Sequence, residues 1–92
     1  MITRQLDLFV RDQLQLLEAC DEAERAYERA ERDEAEELYG DYVDAVDAAR
    51  EALLEYRDTY ARTLDAEAAE EYEHVFNRLA RKRLPKVGLE LD

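Results

Sequence analysis

The sequence contains no serine and no tryptophan, and only one cysteine, one histidine, one asparagine and one proline. Each gap removes a class of chemistry. Without serine there is no serine-centred catalytic triad. Cys20 has no second thiol in the chain, so neither an intramolecular disulfide nor a CxxC site exists. A Cys–His pair would require Cys20 to meet His74, and no local signature supports that pairing. The two glycines, Gly40 and Gly88, stand too far apart to build a phosphate-cradling loop.

Long apolar runs are missing as well. Arg4, Asp7, Arg11 and Asp12 interrupt the leucines of the first 20 residues, so nothing approaches a signal-peptide core or a membrane span. A cytoplasmic protein without membrane contact is therefore expected. Positive charge is scarce: 13 basic residues face 25 acidic ones, for a net charge of -12. Direct contact with nucleic acid or an anionic membrane is disfavoured, because both attract positive charge. A disordered acidic tail is disfavoured too, since 47% of the residues are hydrophobic and they recur periodically.

What is present is helical. Alanine, leucine, glutamate and arginine dominate, all good helix formers. Ala35, Leu38, Tyr42, Val46, Ala49, Leu53, Tyr56, Tyr60 and Leu64 recur in steps of three and four and form one stripe. The stripe keeps its phase through position 40, which predicts a helical Gly40. Extended backwards it would bury Glu31, Glu28 and Glu24, which burial penalises. The preceding segment instead has its own stripe of Leu6, Phe9, Val10, Leu14, Leu17 and Cys20, drifting to Ala23 and Tyr27.

Two phases predict two helices, with a reversal near Arg32–Asp33 and a capping pair of Asp33 and Glu36. Folding the chain back there makes facing residues sum to about 65, and large side chains then meet small ones repeatedly. The competing arrangement is a continuous helix through 28–37 in an elongated dimer. A third helix follows Asp65, its N-cap, and presents Ala68, Ala69, Tyr72, Val75, Phe76 and Leu79. Basic residues and Pro85 close it. The expected fold is all-α: a single domain, 1–92, as an antiparallel bundle of three helices. Helices are predicted at about 4–31, 34–63 and 66–84, with an extended tail at 85–92. The first two form a long hairpin whose acidic tip lacks a third helix.

Candidate sites are few. Glu71 and His74 form an E-x-x-H, the spacing by which ferritin-like bundles bind metal. With Tyr72 at the centre of the third helix's apolar face, His74 lies about 160° away. That predicts a surface histidine and no metal or other cofactor. The tyrosines on the stripe are expected to pack rather than react, and Cys20 to be a small buried hydrophobe. Charge is the remaining signal. Residues 21–47 hold 12 acids against three arginines, whereas 78–86 hold five bases and no acid. Glu24, Glu28, Glu31 and Glu34 on the tip, and Arg78, Arg81, Lys82, Arg83 and Lys86 at the corner, are the candidate partner-binding residues.

The expected function is a non-enzymatic protein–protein interaction or assembly module, bound to a protein partner, to a second copy, or to both. One alternative is a ferritin-like metal oxidoreductase subunit that uses Glu71 and His74 on oligomerisation. Another is an inhibitor whose carboxylates mimic nucleic acid.

Overall fold

A computed structural model describes residues 1–88, and every regular element among them is a helix. In chain order these are α1 (Ile2–Asp12), α2 (Leu14–Glu28), α3 (Ala35–Ala61), α4 (Ala66–Arg83) and α5 (Pro85–Gly88).

The chain reverses at 29–34, which removes the continuous-helix alternative. Two successive turn hydrogen bonds make the reversal, from the Ala30 amide to the Tyr27 carbonyl and from Glu34 to Glu31. No described residue has positive φ, so the turn needs no glycine. The Asp33–Glu36 capping pair does not form. The N-cap is Glu34, with no side-chain cap hydrogen bond, and Glu36 and Glu37 lie in the first turn, where the helix dipole favours negative charge.

Contacts along the hairpin set its register. Tyr27 meets Tyr39, Tyr42 reaches Glu24, the Cys20 thiol donates to the Ala45 carbonyl, and Phe9 packs edge-on to Tyr56. Each pair sums to about 65, the packing relation that the two stripes require. All nine residues of the 35–64 stripe are at least half-buried.

The span 4–31, expected as one helix, is two. Helix α1 ends at Gln13, whose φ of -112 and ψ of 27 leave helical geometry. No glycine or proline causes this. The interruption falls where the stripe between Phe9 and Leu16 places a polar side chain, and Gln13 stays half-exposed there. Leu14, expected on the buried stripe, is consequently 50% exposed.

Asp65 caps α4 as its sequence suggests, accepting from the Ala68 amide at 2.9 Å. Helix α4 packs on α3 and α1. Tyr72 stacks near Tyr60 at 4.8 Å, and its hydroxyl donates to Gln5 at 2.7 Å. The buried Asn77 accepts from Arg57 at 2.9 Å. The tail is not extended over 85–88. Pro85 starts a single turn, α5, with the Leu84 carbonyl accepting from Val87 and Gly88. The remainder of the expected tail, 89–92, lies outside the described residues.

Three expected outcomes arise from this packing. A Cβ added at Gly40 meets nothing within 4 Å. Gly40→Ala is expected to stabilise by about 0.5–1 kcal/mol through backbone entropy, seen as slower amide exchange in the first turns of α3. A Cβ at Gly88 meets backbone instead, 2.9 Å from the Ala80 oxygen. Gly88→Ala is expected to push α5 off α4 and cost about 1–3 kcal/mol in urea melts. Burial, with Tyr60 and Tyr56 adding, pushes the Tyr72 phenol up to about 12 from 10.0. The unfolded chain loses this proton first, so stability is expected to fall as pH rises from about 10 to 12. Tyr72→Phe should flatten that slope and remove an ionisation near pH 12 from an absorbance titration.

Candidate functional site

The buried side chains lie at one end of the molecule. Leu6, Phe9, Val46, Ala49, Leu53, Tyr72, Phe76 and Ala80 have at most 8% exposure, and Cys20 and Val87 close the same cluster. Between residues 21 and 44 no residue is buried. The far halves of α2 and α3 therefore form a two-helix arm in a molecule 51 Å long and 22 × 18 Å across. The helices of the arm hold each other through half-buried Ala23, Ala26, Leu38 and Tyr42. Such thin packing places the arm at the low-stability end of the fold.

The arm exposes two aromatic rings. Tyr27 is 38% and Tyr39 51% exposed. Their centroids lie 5.2 Å apart with the rings tilted by 58°, and Tyr42 continues the row 6.5 Å beyond Tyr39. The Tyr42 hydroxyl donates to Glu24 at 3.4 Å. Burial, then the Glu24 carboxylate, pushes that phenol up, so it stays protonated as a donor.

The structure separates the candidate charged residues into two sets. Lys86 donates to both Asp21 and Glu24, and Glu24's hydrogen bond is the main reason the amine is held up to about 12. Arg83 pairs with Asp7. Two of the five corner cations are thus tied to their own chain, Arg83 to α1 and Lys86 to the root of the arm. Arg81 has a further interaction, and Arg78 and Lys82 are exposed without an ion pair among the described residues. Glu28, Glu31 and Glu34 project into solvent around the turn, and no corner cation reaches them. Among the arm's acids, the ion pairs formed with described residues involve Asp21 and Glu24; the others carry open charge.

Glu71 and His74 are both exposed on α4, among Glu67, Glu70 and Glu73. Among the described residues no group of three or more His, Cys, Asp or Glu side chains is placed to hold a metal ion. Burial, then Asp21, raises the Cys20 thiol, which is spent as a donor to Ala45. Such a thiol is a poor nucleophile. No helix of the described residues is long and apolar enough to cross a membrane.

Sequence reasoning did not single out two features. Tyr27 reads as the drifting end of the first apolar stripe, and Tyr39, off the second stripe, receives no role from periodicity. Their exposure follows from the missing third helix at the arm. The second is a groove of about 320 Å³ between α1–α2 and the α4–α5 corner, floored by Val10, Leu14, Leu17, Leu84, Pro85 and Val87. The turn of α5 closes one side of it, and the kink at Gln13, beside exposed Leu14 on the other side, has no sequence signal of its own. Compared with known proteins, the chain matches no family model, no curated protein and no solved structure.

Proposed function

We propose that this chain is a small acidic protein–protein interaction module without catalytic activity, working in the cytoplasm. Its base is an antiparallel three-helix bundle in which α1–α2, α3 and α4 take the three positions. The observation that carries the reading is the arm: 24 consecutive residues, 21–44, with no buried side chain, a paired exposed Tyr27 and Tyr39, and unpaired carboxylates around them. A catalytic role lacks a comparable support, since the one thiol is buried and the one histidine is exposed away from the aromatic row. The outward position of Glu71 and His74 also speaks against the ferritin-like alternative, whose ligands must face across a bundle.

Site-specific photo-cross-linking in native cells tests this. A benzoyl-phenylalanine at position 39 is expected to capture one defined protein, whereas the same probe at position 74 is not. Equal capture from both positions, or none from position 39, would remove the arm as the binding surface.

A further inference from the structure

We propose that the arm docks an arginine-bearing basic segment of a protein partner, with a guanidinium stacking on the exposed Tyr27–Tyr39 pair. This rests on the reading of the chain as an interaction module and names the chemistry its partner must have. Exposed tyrosine faces carry a negative quadrupole that attracts cations, and the planar, weakly hydrated guanidinium suits them better than an ammonium. Both rings are accessible, 38% and 51% exposed, and lie 5.2 Å apart.

Charge complementarity points the same way. Glu36 stands three residues before Tyr39, hence on the same helical flank, and has no ion pair among the described residues, whereas Glu24, three before Tyr27, is held by Lys86. The stretch 21–47 carries 12 acids and three arginines, and Lys86 neutralises only Asp21 and Glu24 within it. A cationic segment laid along the row relieves the arm's self-repulsion, while an acidic or nucleic-acid partner meets it head-on.

A second copy of the chain is the weaker occupant. Its basic corner spends Arg83 on Asp7 and Lys86 on Asp21 and Glu24. Docking through these two cations on another arm would break ion pairs to make ion pairs. That leaves a second copy Arg78 and Lys82 as corner cations without an ion pair among the described residues. An external basic segment brings all of its cations without that cost.

The test uses the full chain and three short fluorescent peptides: alternating arginine–alanine, its lysine counterpart and its glutamate counterpart. Anisotropy at low salt is expected to show the arginine peptide binding about tenfold tighter than the lysine peptide, and the glutamate peptide not at all. Tyr39→Ala and Tyr27→Ala should each weaken the arginine peptide about two- to fivefold and the lysine peptide less. Tyr39→Phe, which keeps the ring face, should bind as the parent does. Circular dichroism checks that each variant stays helical.

Equal binding of the arginine and lysine peptides, with Tyr39→Ala silent, would overturn the proposal and leave a merely polyanionic surface. Self-association in sedimentation that Tyr39→Ala abolishes would overturn it in favour of a second copy. If no peptide binds while the position-39 cross-linker still captures a protein, the basic-partner chemistry falls and the interaction reading stands. If both experiments fail, both fall.

Discussion

Phe76→Ala is expected to cost about 3–5 kcal/mol, the range for removing a large, fully enclosed aromatic ring and leaving a cavity. Phe76 has 0% exposure and lies 5.8 Å from Tyr72, within the cluster where α4 meets α3 and α1. Ala49 and Ala80 are already enclosed, and Leu53 is held at 0% exposure. Against a total of about 5–8 kcal/mol for a domain of this size, the variant would be barely folded. Glu28→Ala and Glu31→Ala, on the exposed turn side of the arm, should change stability by about 0.5 kcal/mol or less. At low salt each relieves repulsion and tends to stabilise. Urea melts at matched concentration check the contrast. A stable Phe76→Ala alongside collapsed arm variants would reverse the assignment of base and arm. A midpoint that rises with protein concentration would mean that a second copy completes the core.

Phe9→Ala is the other substitution with an effect of this size, again about 3–5 kcal/mol, but its signature differs. Helix α1 has 11 residues, too few to be stable in water alone. Its only fully buried side chains are Leu6 and Phe9. Phe9 packs edge-on to Tyr56 with centroids 5.7 Å apart, a geometry that adds to its burial. Removing it takes away most of what docks α1, and the kink at Gln13 means that α2 does not carry α1 as a rigid extension. Hydrogen exchange is expected to show α1 amides losing protection before those of α2 and α3. Uniform loss across all helices would show that α1 and α2 unfold as one unit despite the kink.

These two phenylalanines also show where the sequence was legible. Phe9 and Phe76 both lie on stripes with steps of three and four, so their burial followed from periodicity. The same periodicity carried Gly40 through α3 as a helical residue, and Asp65 announced the start of α4 through its side-chain chemistry. The reversal was readable only as a mismatch between two phases. Its turn uses ordinary right-handed geometry, which leaves no glycine or proline behind as a mark. The break at Gln13 was not readable at all, because a single polar residue on a stripe is compatible with an unbroken helix. For the charged residues, position along the chain identified the acidic arm and the basic corner but not their relation. Lys86 bonds Asp21 and Glu24 only because α5 turns back onto α3 and α4, which brings its lysine within reach of α2.

All-helical structure and an acidic surface were determined by the sequence alone, since propensity, stripe period and net charge are sums over local residues. Which tyrosines pack and which face solvent was decided by the tertiary structure. Tyr56, Tyr60 and Tyr72 are covered because α1 and α4 reach them, whereas Tyr27 and Tyr39 stand beyond the last turn of either helix. Burial is a property of what lies opposite a side chain, and a stripe specifies only the direction it faces.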